Sequence, residues 1–147
     1  MLHEVASEFT GMAQRAGVLL TLTVPDRLMV TWDRLALEQI MDNLISNAIK
    51  YGAHTPVGIM AKAEDGQVHI EVSDGGAGVP VADRERVFGR FERAVGPGER
   101  RSGFGVGLWV VGQLVTAMGG TVVIGDAPGG GALFTLTLPQ HAEGAHP

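Results

Sequence analysis

The chain contains no cysteine among its 147 residues, so it cannot form disulfides or support cysteine-based zinc or redox chemistry. It also lacks any uninterrupted apolar run near the roughly 20 residues that a membrane helix needs. Its N-terminus does not show the charged-then-apolar layout of a signal peptide. These absences predict a soluble chain without membrane contact, in a reducing compartment such as the cytoplasm.

Positive charge is scarce too, because 11 Lys and Arg face 16 Asp and Glu and the net charge is −5. Nucleic-acid binding through phosphate contacts needs a basic surface, so we do not expect a nucleic-acid partner. Six arginines nevertheless fall within one short segment: Arg84, Arg86, Arg90, Arg93, Arg100 and Arg101. The segment follows one glycine cluster and extends into the next, so it either forms a solvated helix face or binds an anionic ligand.

Glycine, in contrast, is abundant, and the 22 glycines cluster at residues 75–78, 96–107 and 119–131. Between these clusters, apolar periodicity predicts helices over residues 2–15, 34–51, 83–88 and 106–118. Six segments have the pattern of strands, at residues 18–24, 28–32, 57–63, 68–73, 121–126 and 132–138. Strands that arrive in hairpins predict an α+β fold. We expect a two-layer α/β sandwich with a mixed, mostly antiparallel sheet of about five strands and three main helices on one face.

Three polar constellations could carry chemistry. Asn43, Asn47 and Lys50 are spaced by four and three residues, so they share one face of the long helix. The two amides could offer oxygens to Mg²⁺ and the lysine could meet phosphate charge, although a solvated polar face without a ligand is the alternative. Asp74 follows a strand and precedes glycines, so its carboxylate could accept a hydrogen bond from an amino group on a flat ring, unless the loop is an ordinary glycine turn. The motif of residues 103–108 opens a helix, where free N–H groups suit phosphate, unless it is only a packing loop.

The order and spacing of these motifs resemble the GHKL superfamily, the ATP-binding fold of histidine kinases, gyrase-type topoisomerases, mismatch-repair ATPases and a heat-shock chaperone. Residues 43–51 match the N box of histidine kinases, and residues 74–79 match their first glycine box. Residues 87–93 match the F box, which the chaperone and the topoisomerases lack. Residues 103–108 match the second glycine box, and residues 129–132 look like its closing glycine turn. The chain therefore resembles the catalytic domain of a sensor histidine kinase.

The resemblance implies ATP and Mg²⁺ as ligands and assigns roles to single residues. Asp74 would accept a hydrogen bond from the adenine amino group, and Tyr51 would lie against the nucleotide. Asn47 would ligate Mg²⁺, while Asn43 and Lys50 would contact the phosphates as catalytic groups. The other nucleotide-binding positions implied by the boxes are Gly76, Gly78, Val79, Gly103, Gly105, Val106, Gly107 and Leu108.

The segment between the glycine boxes would act on the triphosphate. Residues 94–104 would form a lid that orders over ATP, and Arg93 would neutralise charge on the γ-phosphate as a third catalytic residue. Phe88 is also counted among the nucleotide-binding positions, and it would either anchor this lid to the core, dock on the partner helix, or simply pack in the core. Position 75 is glycine where many relatives carry Asn or Asp, which predicts a looser loop there.

The implied reaction is transfer of the γ-phosphoryl group to a histidine on a separate dimerisation and phosphoacceptor domain, with a response regulator as indirect partner. No phosphoacceptor box is present. Residues 1–15 would be the end of a linker helix, residues 16–139 the catalytic domain, and residues 140–147 a disordered tail. The full-length kinase could still be membrane-anchored. A nucleotide-gated interaction module is an alternative. A GHKL-type hydrolase is a further one, but such enzymes carry glutamate where this chain has Asn43.

Overall fold

The computed structural model describes residues 1–25, 28–52, 54–88 and 102–141. Helices are α1 (Leu2–Ser7), α2 (Thr10–Arg15), α3 (Arg34–Tyr51) and α4 (Ser102–Ala117). Strands are β1 (Leu20–Thr23), β2 (Val57–Glu64), β3 (Gln67–Ser73), β4 (Thr121–Asp126) and β5 (Ala132–Pro139). Short 3₁₀ helices cover Val81–Asp83 and Arg86–Phe88. Among the described residues, no helix is long and apolar enough to cross a bilayer.

The five strands form one mixed sheet in the order β1-β2-β3-β5-β4. Among the strands of the described residues, the β1–β2 pair alone is parallel, and α3 makes the crossover between them, as a parallel connection requires. The remaining pairs are antiparallel. This architecture confirms the predicted α+β fold with its mostly antiparallel sheet.

Burial alternates along the central strands, so one face of the sheet forms the core. Ile59, Val72, Phe134 and Ile124 are cross-strand neighbours that make one buried row over four strands. The apolar side of α3 faces the same core, where its buried residues include Leu37, Ile40, Met41, Leu44 and Ile45. Asp33 caps α3, because its side chain accepts a hydrogen bond from the Leu35 N–H at 3.0 Å.

The predicted strand at residues 28–32 is wrong. Thr31 makes only an isolated bridge with His141, and its N–H donates to the Gln140 carbonyl at 3.0 Å. The Trp32 indole N–H donates to the Pro139 carbonyl at 2.7 Å. The segment therefore satisfies its polar groups against the end of β5 and the residues after it instead of joining the sheet.

Three helix boundaries also differ from the prediction. The helix over residues 2–15 is two helices, and the Ser7 hydroxyl donates to the His3 carbonyl at 2.7 Å just before the break, a back-bond that bends helices. The helix at 83–88 is replaced by the two 3₁₀ turns. Helix α4 begins at Ser102, four residues earlier than residue 106.

Candidate functional site

A pocket opens between the end of α3, the loop after β3 and the start of β5. It is lined by Asn47, Tyr51, Asp74, Gly78, Val79, Ala132 and Phe134. The first five of these are predicted nucleotide-binding residues, and they come from two motifs that are separated by more than twenty residues in the sequence. The fold therefore joins the helix amides and the loop carboxylate in one concave site.

Asp74 is held so that one carboxylate oxygen remains available. It is 8% exposed, and its Oδ1 accepts hydrogen bonds from the Gly76 N–H at 2.8 Å and the Ala132 N–H at 3.3 Å. Its own N–H donates to the Ala132 carbonyl at 3.1 Å. The described residues provide no donor for Oδ2, so this oxygen can accept a hydrogen bond from a ligand amino group.

Backbone packing around Asp74 leaves no room for side chains at three glycines. A Cβ on Gly131 would lie 2.1 Å from the Asp74 carbonyl oxygen, and a Cβ on Gly76 would lie 2.4 Å from the Tyr51 carbonyl oxygen. A Cβ on Gly52 would lie 2.2 Å from the Ala48 carbonyl oxygen and 3.1 Å from the Asp74 Cβ. The loop after β3 is therefore pressed against both the end of α3 and the turn before β5.

The amides of α3 differ in their surroundings. Asn47 is 8% exposed, and its Nδ2 is buried without a hydrogen-bond partner among the described residues. Asn43 is more exposed, and its Nδ2 donates to the Gln39 carbonyl at 2.9 Å. Lys50 is exposed, with Nζ 5.4 Å from the centroid of the Tyr51 ring. The three residues therefore do not converge fully, since only Asn47 lines the pocket.

An unpaired buried amide is costly in a folded protein unless a ligand satisfies it. A phosphate oxygen can accept from the Asn47 Nδ2, which leaves its carbonyl oxygen for a hard cation. The described residues contain no group of three or more His, Asp or Glu side chains that could hold a metal. An amide oxygen completed by phosphate oxygens and water fits Mg²⁺, which typically retains water and shares phosphate ligands.

The second glycine box lies in the first two turns of α4, because Gly103, Gly105, Val106, Gly107 and Leu108 fall inside Ser102–Ala117. Only the first four N–H groups of a helix lack partners within it, so Gly103 and Gly105 can offer N–H groups to phosphate. Gly107 instead permits close contact with α3, since a Cβ there would lie 2.9 Å from the Asn43 Oδ1. Leu108 is fully buried.

Two side chains support the pocket from outside. The Arg84 Nε donates to the Val79 carbonyl at 2.9 Å, and its Nη2 pairs with the Asp126 Oδ1 at 2.7 Å. The Phe88 ring packs edge-on against Phe134, with centroids 6.4 Å apart and an interplanar angle of 87°. Phe88 thus contacts a residue of the pocket lining, and this contact favours a packing role over direct nucleotide binding.

Predicted site residues that lie outside the described residues are Arg93 and the part of the lid at 94–101, and Arg90 of the arginine-rich segment lies outside them too. Sequence reasoning missed Phe134 as a lining residue, although strand alternation places it on the buried face beside Val72. It also missed the neighbour of Gly75. The Gly75 N–H donates to the Thr55 hydroxyl at 2.8 Å, so a hydrogen bond connects this end of the loop to the residues after α3.

Comparison with known proteins gives consistent matches. The family model described as "Histidine kinase-, DNA gyrase B-, and HSP90-like ATPase" matches residues 32–142. The sensor histidine kinase TmoS of Ectopseudomonas mendocina is 37% identical over 97% of this chain and 15% of its own length. The sensor histidine kinase WalK of Bacillus subtilis is 36% identical over 90% of this chain and 22% of its own length. The chain thus spans less than a quarter of either relative.

Solved structures show the same likeness. Full-length ShkA in complex with AMPPNP superposes with a TM-score of 0.77 at 32% identity, over 97% of this chain and 30% of that one. The nucleotide-free catalytic domain of the histidine kinase ThkA gives a TM-score of 0.81 at 21% identity, over 97% of this chain and 92% of that one. The second match supports the fold alone.

Proposed function

The chain belongs to the histidine kinase-, DNA gyrase B-, and HSP90-like ATPase family as an ATP-binding catalytic domain of the sensor histidine kinase type, and we propose that it binds Mg–ATP for transfer of the γ-phosphoryl group to a histidine. The acceptor histidine would lie on a separate dimerisation domain. Its imidazole nitrogen would attack the γ-phosphorus while the bond to the β,γ-bridging oxygen breaks, so that ADP leaves. A response regulator would then receive the phosphoryl group.

The observation that carries this proposal is the pocket that joins Asp74 to Asn47 and Tyr51. The Asp74 Oδ2 is the acceptor for the adenine amino group, because Oδ1 already has two backbone donors. Tyr51 borders the same cavity and offers a ring for the nucleotide to lie against. A base bound at Asp74 would direct its phosphates toward Asn47 on α3, and the first turn of α4 would complete the phosphate site.

Several different groups would neutralise the negative charge of the triphosphate. Mg²⁺, when bound, neutralises phosphate charge and orients the transferred group, and Asn47 would hold it. Asn43 and Lys50 lie one turn before and almost one turn after Asn47 on α3, so they would contact the phosphates from either side. Arg93 remains the proposed partner of the γ-phosphate. In such transfers the protein contributes mainly positioning and electrostatic stabilisation.

The position of glutamate on α3 favours transfer of the phosphoryl group over hydrolysis of ATP. Asn43 occupies the place one turn before Asn47, and an amide cannot accept a proton from water as a carboxylate does. Glu38 cannot replace it, because its Oε2 pairs with the Arg34 Nε at 3.1 Å at the other end of α3. We therefore propose that bound ATP is hydrolysed slowly and remains available for an acceptor.

The first experiment is calorimetric titration of a non-hydrolysable ATP analogue with Mg²⁺ into the wild type, Asp74→Asn and Asp65→Asn. Asp74→Asn keeps an Oδ1 acceptor but places an amide N–H₂ toward the adenine amino group. A lost hydrogen bond to a charged group corresponds to about 10- to 100-fold weaker binding. Asp65→Asn removes the same charge in the turn at the opposite end of β3, so its affinity should match the wild type.

No binding by the wild type at millimolar nucleotide would contradict the proposal, as would equal losses in the two variants. Phosphoryl transfer is tested by adding a separate phosphoacceptor domain with γ-labelled ATP. We expect label on that domain in an acid-labile, alkali-stable phosphoramidate bond. Binding without label would instead indicate a nucleotide-gated interaction module. Phosphate release without an acceptor would indicate a hydrolase.

A further inference from the structure

Thr55, which belongs to none of the nucleotide-binding motifs, joins the end of α3 to the loop that carries Asp74. Its hydroxyl donates to the Gly52 carbonyl, and its N–H donates to the same oxygen at 3.1 Å. The Gly75 N–H donates to the Thr55 Oγ1 at 2.8 Å. Because Gly75 can only donate here, the hydroxyl proton must point to Gly52. The hydroxyl thus acts as acceptor and donor at once, with its orientation determined by both partners.

This contact lies at the boundary between the two halves of the pocket. Gly52 directly follows α3, which carries Asn47 and Tyr51, whereas Gly75 directly follows Asp74. On the β5 side, the backbone of Ala132 holds Asp74 through two hydrogen bonds. On the α3 side, the described residues make one hydrogen bond with the backbone of residues 74–76. In this bond the Gly75 N–H donates and the Thr55 hydroxyl accepts.

The space around Gly75 explains why this link needs both residues. A Cβ at position 75 would lie 3.0 Å from the Thr55 Cβ and 3.2 Å from its Oγ1. Any side chain at this position would therefore press on Thr55 and lengthen the hydrogen bond. Glycine at 75 and threonine at 55 form a matched pair, in which the absent side chain leaves room for the hydroxyl.

We propose that Thr55 is a positioning residue that fixes the Asp74 carboxylate relative to α3, and so determines how strongly the site prefers a purine with a 6-amino group. This inference rests on the proposed ATP-binding function, with Asp74 as the adenine acceptor. If Thr55 acts through Asp74, its loss weakens the contact with the amino group but leaves the triphosphate contacts intact. A merely structural residue would weaken binding of all purine nucleotides alike.

The test compares two ligands, the β,γ-imido analogue of ATP and the same analogue of purine riboside triphosphate, which lacks the 6-amino group. Thr55→Val preserves the shape but removes the hydroxyl, and Thr55→Ser restores the hydroxyl. We expect Thr55→Val to bind the adenine analogue about 3- to 10-fold more weakly, the range for one neutral hydrogen bond. Its affinity for the purine analogue should change by less than about 2-fold. Thr55→Ser should recover most of the adenine preference.

Asp74→Asn tests whether Thr55 acts on binding through the Asp74 carboxylate. Once Asp74 is replaced, adding Thr55→Val should cause no further loss of adenine preference. Equal weakening of both ligands by Thr55→Val, or no change in either, would overturn the inference while leaving the proposed function intact. Failure of the wild type to bind the adenine analogue would refute the proposed function itself, and the inference with it.

Discussion

The turn before β5 offers a matched pair of substitutions that separates backbone strain from steric contact. Gly130 and Gly131 both have positive φ values, 106° and 95°. A Cβ on Gly130 would meet nothing within 4 Å, whereas a Cβ on Gly131 would lie 2.1 Å from the Asp74 carbonyl oxygen and 2.8 Å from the Gly75 Cα. Gly130→Ala therefore tests strain alone, and Gly131→Ala adds the collision with the loop of Asp74.

The expected magnitudes follow from these contacts. Placing alanine at positive φ costs about 1–2 kcal/mol, so Gly130→Ala should lower the free energy of unfolding by that amount. Gly131→Ala must in addition move residues 74–75 by more than about 1 Å to reach an ordinary contact distance. That shift disrupts the two hydrogen bonds between Asp74 and Ala132. They contribute about 1 kcal/mol for the neutral bond and about 1.5–3 kcal/mol for the carboxylate. We expect a difference between the variants of about 2–4 kcal/mol.

Urea denaturation followed by circular dichroism would measure the unfolding free energies of both variants. If the unfolding free energy depends on urea concentration with the same slope in both, the unfolded state is unchanged. Calorimetric titration with an ATP analogue would show whether binding falls with Gly131→Ala while Gly130→Ala retains it. Equal destabilisation by the two alanines would refute the argument, because it would show that the packing of Gly131 on Asp74 contributes nothing beyond backbone strain.

Two further predictions concern the helices around the pocket. Gly107→Ala should leave the free energy of unfolding within about 1 kcal/mol of the wild type. The helix preference of alanine over glycine, about 1 kcal/mol, offsets the cost of moving the Asn43 side chain. The substitution should weaken Mg-nucleotide binding in calorimetry by displacing Asn43, and unchanged binding would contradict this role. Arg34 pairs with Glu38, Glu8 and Glu4, and the hydrogen bonds with Glu38 and then Glu8 raise its pKa above the ordinary arginine value. A raised pKa stabilises the fold at every pH below the pKa of arginine in the unfolded state. In denaturation experiments, Arg34→Met should therefore lower the free energy of unfolding equally at pH 6 and pH 9. The loss should be smaller in 1 M salt, which screens the ion pairs. A loss confined to one pH would contradict it.

Much of the fold could be predicted because its signals are local. The alternation of β2, β3, β4 and β5 and the apolar side of α3 are visible within short windows of sequence, and the structure confirms these five elements. The strand predicted at 28–32 shows the limit of this reasoning. Its residues have a pattern that suits a strand, but their hydrogen-bond partners are Pro139, Gln140 and His141 at the other end of the domain. No local window contains that information.

The candidate site could be predicted in its residues but not in its geometry. Motifs identify Asp74 and Asn47, and the structure brings both to one pocket. They do not reveal that Asn43 turns toward Gly107 or that Lys50 stays exposed beside Tyr51. Such differences depend on how α3 is rotated against α4. That rotation arises from packing over the whole interface and not from the spacing of polar residues.

The positions that orient Asp74 lie where separate segments of the chain approach each other closely. Gly131 and Gly76 cannot carry side chains, because carbonyl oxygens of other segments lie too close to them. The Thr55 hydroxyl accepts a hydrogen bond from a peptide N–H that is twenty residues away in the sequence. A glycine in a sequence shows only that a side chain is absent, and it does not show which neighbour occupies the space. The carboxylate that identifies the site is therefore oriented by residues whose roles become visible only when the loop, the end of α3 and the turn before β5 are assembled.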